Sequence, residues 1–313
     1  MHDVRQRALW LMVAAALAAC LAGCGAAGSG VTAGGAIVAV GAENEYADVI
    51  EQIGGRFVKA TAIESNPNTD PHAFEASPSV AEEVGAARLI VQNGVGYDTY
   101  MERIESATGG VGSNSTRKVI VVRKLLGLPD SAPNPHLWYK PGTMVAVAKA
   151  IGTALSQLQP AHAAYFQANV VSFERSLTPW YEAIRQFAAA YPNTPVATTE
   201  PVGDYLLEAL GAKNLTPFSF QADIMNGVDP APQDVTLQNG LIANHRIKVF
   251  VYNQQVTDSL TQSFLDAAKR AGVPVVGVYE TMPTPGYDYQ SWMLAEVRAL
   301  RRAVAEKIST RKL

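Results

Sequence analysis

The chain contains 313 residues, which is long for one domain and predicts two. Hydrophobic residues make up 48% of it, enough for real cores, and charged residues make up only 17%. A net charge of −3 leaves no basic footprint of the kind that nucleic-acid-binding proteins carry, so we expect no nucleic-acid partner.

Residues 1–23 have the pattern of a secretory signal, in which two arginines precede an apolar stretch too short to span a bilayer comfortably. The end of this segment resembles a bacterial lipobox, in which Cys24 is acylated and becomes the mature N-terminus. An ordinary signal peptide followed by an incidental cysteine is the alternative. Residues 24–35 are small and rich in Gly and Ala, which predicts a flexible tether. We therefore expect the protein on the extracytoplasmic face of the bacterial cell membrane, anchored by lipid through Cys24.

Residues 36–142 alternate short apolar runs with segments of helical periodicity, and we interpret them as an N-terminal lobe. Strands alternating with helices predict a mostly parallel sheet. The predicted strands cover residues 36–40, 58–63, 88–93 and 118–122, and the predicted helices cover residues 44–53, 80–87 and 97–107.

Residues 143–192 are predicted to be linking helices, at 143–158 and from 160 to about 191, with Pro179 kinking or interrupting the second. A helix of about 30 residues would be about 45 Å long, too long for a crossover within a small sheet. We interpret it as a rigid spine that joins two lobes.

Residues 193–313 repeat the alternation and form a predicted C-terminal lobe. The fold class is therefore α/β, with two Rossmann-like lobes of mostly parallel strands and a long rigid helix between them. The predicted strands are 195–199, 214–220, 249–252 and 274–278, and the predicted helices are 202–210, 232–244, 259–272 and 289–308.

Four polar side chains follow predicted strands or lie in the loops beyond them: His72, His136, Glu200 and Glu280. Sites in open α/β sheets are built at the carboxyl ends of the strands. If the two lobes face each other, these side chains meet in the cleft, and two imidazoles with two carboxylates suit a divalent first-row metal. Each also has a plainer interpretation: a turn histidine, packing of His136 on Trp138, a helix cap, or a carboxylate paired with an arginine.

Several motifs along the mature chain resemble the metal-binding lipoproteins of bacterial ATP-binding-cassette (ABC) importers, the cluster A-I solute-binding proteins that take up zinc, manganese or iron. The motif around His72 is the most specific of them. The motifs are Glu43-Asn44-Glu45-Tyr46-Ala47, Ile53-Gly54-Gly55, Asn68-Thr69-Asp70-Pro71-His72-Ala73-Phe74-Glu75, Asn93-Gly94-Val95-Gly96-Tyr97-Asp98 and Asn134-Pro135-His136-Leu137-Trp138.

This resemblance implies two lobes joined by one rigid helix, with a metal held in the cleft by four side chains. It implies that His72 and His136 are the first two ligands and Glu200, five residues before Tyr205, the third. The fourth position is usually Asp in the family. Here it is Glu280, with Asp288 as the alternative.

The resemblance also implies the cargo and the partner. Carboxylate ligands favour harder ions, so we expect Mn²⁺, with Zn²⁺ close behind and Fe²⁺ as a third candidate. The His-rich loop of zinc-type members is absent, because residues 108–135 contain no histidine. We expect a monomer that delivers the ion to an ABC permease and has no catalytic residue.

Two other classes of function are the alternatives. A secreted metallohydrolase would need an open coordination position and a general base, whereas four protein ligands fill a tetrahedral site. An adhesin-type surface protein is the third class, and no motif in the sequence points to it.

Overall fold

The computed structural model describes residues 35–108 and 117–313. The signal segment, Cys24, nearly all of the tether and residues 109–116 lie outside these ranges. The described strands are β1 (Ile37–Glu43), β2 (Val58–Glu64), β3 (Leu89–Gln92), β4 (Lys118–Val121), β5 (Pro195–Thr198), β6 (Lys213–Asn214), β7 (Val249–Asn253) and β8 (Val275–Val278).

Helices connect the strands and cover the sheets. Within the described part of the chain, none of them is both long and apolar enough to cross a membrane. They are α1 (Asn44–Gly54), α2 (Pro78–Ala86), α3 (Thr99–Ala107), α4 (Val122–Leu125), α5 (Thr143–Leu158), α6 (Ala163–Ser176), α7 (Thr178–Ala190), α8 (Asp204–Ala209), α9 (Phe218–Met225), α10 (Pro232–Ala243), α11 (Ser259–Ala271) and α12 (Tyr289–Glu306).

The strands form two four-stranded sheets with the same topology. Their orders are β2-β1-β3-β4 and β6-β5-β7-β8, and every neighbouring pair is parallel. The predicted α/β class with two parallel lobes is thereby confirmed. Because all strands of a parallel sheet end at the same edge, the loops that follow them come together there.

One continuous hydrophobic core runs through both halves of the molecule. It contains Ile37 of the first sheet and Val276 of the second, together with the fully buried Trp138 and Trp292. The hydroxyl of Tyr289 donates a 2.6 Å hydrogen bond to the carbonyl of Trp138, which ties α12 to the first half. The two lobes are therefore packed against each other rather than joined by a hinge alone.

The predicted spine consists of two consecutive helices, α6 and α7, which are separated at Leu177. Pro179 lies in the first turn of α7, where its missing N–H costs no helical hydrogen bond. The interruption that Pro179 predicted is thus present, two residues before the proline.

The predicted strand at residues 214–220 is wrong. Only Lys213–Asn214 pair as a strand, and α9 begins at Phe218. Pro217 precedes the helix in an extended conformation, and the Thr216 hydroxyl bonds the Gln238 side chain at 3.0 Å, which turns the chain away from the sheet. Apolar residues in so short a segment do not distinguish a strand from a buried helix.

Helix α12 carries the fully buried Glu296, whose Oε1 accepts hydrogen bonds from Trp292 Nε1 at 3.1 Å and from the Tyr139 hydroxyl at 3.2 Å. Burial raises the pKa of Glu296 from 4.5 to about 8, although these two hydrogen bonds oppose the rise. The folded protein therefore keeps a proton that the unfolded chain loses near pH 4.5.

We expect Glu296→Gln to remove a stability loss that the wild-type protein suffers as the pH rises. Between the two pKa values the folded state binds more protons than the unfolded state. As the pH rises through this range, the contribution of Glu296 to the free energy of unfolding therefore falls, by on the order of 4 kcal/mol. Urea unfolding at pH 5 and pH 8.5 measures the effect: the variant should gain relative to wild type only at the higher pH. Glu306→Gln, an exposed change on the same helix, is the control and should follow wild type at both pH values.

Candidate metal centre

The loop after β2 carries His72. The residue lies in a 3₁₀ turn, Pro71–Ala73, that begins with proline, and the Asp70 carboxylate accepts a 2.8 Å hydrogen bond from the His72 backbone N–H. This local turn holds the imidazole beyond the end of the strand. With 23% of its side chain accessible, His72 is the most exposed member of the centre.

His136 lies after β4 and α4, directly before a 3₁₀ turn, and is fully buried. Its Nδ1 lies 2.8 Å from Asn134 Oδ1, which also accepts the His136 backbone N–H at 3.0 Å. Because an amide oxygen only accepts, Nδ1 carries a proton, and Nε2 is the ring nitrogen that faces the cluster. The ring also lies 5.5 Å from that of Trp138, so the packing interpretation holds as well.

Glu280 follows β8 and is fully buried. Its Oε2 lies 3.1 Å from His72 Nε2 and 3.1 Å from His136 Nε2, and it accepts a 2.9 Å hydrogen bond from the Tyr97 hydroxyl. One ligand atom from each of the three residues lies within 4.8 Å of the other two. The structure thus brings three of the four predicted side chains together.

Glu200 follows β5 and is 2% exposed, but it stands outside this group of three. Asn253 connects it to the centre, because its Nδ2 donates to Glu200 Oε2 at 3.2 Å and to Glu280 Oε1 at 2.5 Å. The other oxygen of Glu200 is buried without a hydrogen-bond partner among the described residues. Asp288, the alternative fourth ligand, is exposed and caps α12 by accepting the Ser291 N–H.

The charges of the centre are set by burial and by the two histidines. Burial raises the pKa of Glu280, but hydrogen bonds from His136 and His72 outweigh it and hold this pKa well below the usual range. Burial lowers the pKa of His136. Burial also acts to lower the pKa of His72, but the interaction with Glu280 outweighs it, so this pKa is raised. Burial, followed by repulsion from Glu280, raises the pKa of Glu200 well above 4.5.

Three further glutamates, Glu43, Glu45 and Glu64, are buried at the same edge of the first sheet, and none of their carboxylate oxygens has a hydrogen-bond partner among the described residues. Burial is the main reason that the pKa of each is raised, to about 9 for Glu64. Burial therefore disfavours the charged form of these three side chains, whereas the pKa of Glu280 is held low.

Sequence reasoning missed three residues that orient the centre: Tyr97, Asn134 and Asn253. Two of them lie in motifs that were recognised, Asn93–Asp98 and Asn134–Trp138, so the signal was present without a role attached. Asn253 ends β7, at the carboxyl edge of the second sheet, where Glu200 and Glu280 also lie; this is the one pattern that could have identified it.

The fold and the sequence are similar to those of known metal-binding proteins. The periplasmic zinc-binding protein TroA of Treponema pallidum superposes with a TM-score of 0.71, covering 88% of this chain and 100% of that one; at 20% identity the likeness concerns the fold. The manganese-binding lipoprotein MntA of Bacillus subtilis is 24% identical over 256 residues, 80% of this chain and 82% of the relative. The iron-binding protein YfeA of Yersinia pestis is 22% identical over 250 residues, 77% of this chain and 78% of the relative.

Two parallel α/β lobes with a His–His–Glu cluster where they meet are the architecture of a metal-binding solute-binding protein, and the comparisons place the chain in this class rather than among enzymes. Residues 40–303 match the family described as zinc-uptake complex component A, periplasmic (ZnuA). The chain belongs to this family.

Proposed function

We propose that the protein captures one Mn²⁺ ion on His72, His136, Glu200 and Glu280 and delivers it to an ABC permease, with Zn²⁺ as the close competitor and Fe²⁺ as the third candidate. The observation that carries this proposal is the single carboxylate oxygen of Glu280 lying 3.1 Å from the Nε2 atoms of two histidines, in a buried position. Removed from water, such a carboxylate needs a cation, and a divalent ion bound between these three groups supplies it.

Glu200 stands outside the group of three and would complete the proposed set by moving toward Glu280. One Glu200 oxygen has no hydrogen-bond partner within residues 35–108 and 117–313, and Asn253 already holds the other oxygen beside Glu280. Burial and, after it, repulsion from Glu280 favour the protonated form of Glu200, and a dication would remove that repulsion. Metal binding should therefore release a proton from Glu200.

The choice of Mn²⁺ rests on the donor set and on similarity. Two carboxylates beside two imidazoles are harder than a three-histidine site. The relative MntA is described as manganese-binding, whereas YfeA is described as iron-binding and TroA as zinc-binding, so the family does not decide the cargo.

Elemental analysis after equal exposure to Mn²⁺ and Zn²⁺ tests the cargo. We expect the tether-free protein, purified without added metal, to retain one manganese per chain against equimolar zinc. Retention of zinc alone would preserve the site and reverse the choice of metal. A chain without stoichiometric metal, and with His72→Ala behaving like wild type, would refute the site.

Family members work with ABC importers, and we propose that this protein acts as a monomer tethered on the extracytoplasmic face through a lipid on Cys24. Removal of residues 1–23 and acylation of Cys24 should make the mature protein fractionate with membranes. We expect Cys24→Ala to abolish incorporation of labelled palmitate and to release the folded protein into the soluble fraction. A Cys20→Ala variant should be lipidated like wild type, because Cys20 lies in the segment that is removed.

A further inference from the structure

Gln255 lies just beyond the end of β7 and is only 8% exposed. Its side-chain oxygen accepts the backbone N–H of Glu280 at 2.6 Å and that of Thr281 at 2.9 Å. A single amide oxygen therefore holds the backbone from which the Glu280 carboxylate projects.

The nitrogen of the same amide reaches the other lobe. It donates to the Thr69 carbonyl at 2.7 Å and to the Thr281 hydroxyl at 3.2 Å. Thr69 lies three residues before His72, in the loop that presents this histidine. Gln255 is thus bonded at once to the backbone that carries Glu280 and to the loop that carries His72.

Its neighbours extend this connection. Gln254 Nε2 donates to the Pro67 carbonyl at 2.9 Å, which adds a second bond from the C-terminal half to the His72 loop. The backbone N–H of Gln255 donates to Asn253 Oδ1 at 3.0 Å, the same Asn253 that bonds Glu280 and Glu200. Residues 253–255 therefore contact the carriers of three of the four proposed ligands.

We propose that Gln255 is a positioning residue that sets the separation between His72 and Glu280 and so controls how fast the bound ion leaves. The inference rests on the proposed function. His72 is the most exposed of the three clustered side chains, and its own loop contributes only the short-range bonds of a turn. Without the Gln255 amide, this loop loses its main polar connection to the segment that bears Glu280, and the His72 imidazole can swing away from the ion.

The amide of Gln255 has no spare capacity, because both polar atoms are used twice. A buried amide whose bonds are all satisfied specifies one geometry, since any other arrangement leaves donors and acceptors unpaired. Groups that orient metal ligands in this way usually change metal affinity by about 10–100-fold when they are removed. Because Gln255 does not touch the ion, we expect its loss to act on dissociation more than on stoichiometry.

Stopped-flow measurement of metal release to an excess of chelator tests the proposal. The tether-free protein is loaded with Mn²⁺, or with Co²⁺ as a spectroscopic probe. Gln255→Met should still bind one ion but release it at least about tenfold faster, with an altered Co²⁺ visible spectrum. Gln254→Met, which removes only the bond to Pro67, should change the rate in the same direction by a smaller factor. Gln290→Met is the matched control: Gln290 exchanges hydrogen bonds with Gln52 of α1 and touches neither ligand loop, so its rate and spectrum should match wild type.

The outcomes separate the two levels of the argument. No stoichiometric metal in the wild-type protein would refute the proposed function itself. Wild-type binding, with the Gln255→Met rate and spectrum equal to those of Gln290→Met, would overturn the role of Gln255 and leave the function standing. If Gln255→Met does not fold, as judged by circular dichroism, the Gln254→Met rate decides, and a rate equal to that of Gln290→Met overturns the proposal.

Discussion

Replacing Glu280 by glutamine is expected to weaken the binding of Mn²⁺ and Zn²⁺ by at least about 100-fold. The change keeps the size of the side chain and removes the charge that faces both histidines at 3.1 Å. Loss of a group that only orients a metal ligand commonly costs about 10–100-fold, so loss of a ligand itself should cost at least the upper end of this range. Competition titration against a metal-chelating dye measures it.

Glu280→Asp is the matched control for this prediction. It keeps the carboxylate on a side chain one methylene shorter, and Asp is the residue that the family resemblance led us to expect at this position. We expect it to bind one ion per chain with an affinity within about tenfold of wild type. A glutamine variant that binds as tightly as wild type would mean that Glu280 is not a ligand, and Asp288 would then be the candidate for the fourth ligand.

Saturating Mn²⁺ should raise the midpoint of thermal unfolding by about 10 °C. A ligand at about 1,000 times its Kd stabilises the folded state by about 4 kcal/mol, and each kcal/mol shifts the midpoint by about 2–4 °C in domains of somewhat smaller size. Differential scanning calorimetry with and without the ion measures the shift.

His136→Ala should show no such shift, because the variant loses a proposed ligand. This histidine is fully buried beside Glu280, where solvent water has no access to take its place as a ligand. The control is His245→Asn, a change at an exposed histidine after α10 whose positive φ of 52° suits asparagine. It should keep the full shift. An equal shift in wild type and His136→Ala would mean that the stabilising ion binds elsewhere.

Much of the architecture could be predicted because it depends on local sequence patterns. Helix α5 has the bounds that its periodicity indicated, and α1 begins where expected and ends within one residue of its prediction. The exception, α9, has too few residues for a helical period to be distinguished from a strand. Its hydrogen bonds from Ser219 to α10 and from Gln221 to β5 depend on the tertiary structure. Strand order was not predictable either, since it depends on contacts between segments that are distant in sequence.

For the candidate site too, the positions of the side chains were predictable and their contacts were not. Four polar side chains at strand ends could be predicted by one rule, because every strand of a parallel sheet presents its carboxyl end at the same edge. Which oxygen faces which nitrogen is decided by side-chain rotamers and by neighbours such as Asn134 and Tyr97, and these depend on packing.

By itself, the sequence determined the two parallel lobes, the helical connection between them and the loops in which His72 and His136 lie, since these follow from short-range periodicity, proline positions and strand ends. Only the tertiary structure decided that Glu280 rather than Asp288 lies beside the two histidines. It also decided that Asn253 connects Glu200 to Glu280 by hydrogen bonds, and that Gln255 joins the His72 loop to the other lobe. The physical reason is distance along the chain. Hydrogen bonds between residues almost 190 positions apart depend on how two finished lobes pack, and no local pattern records that packing.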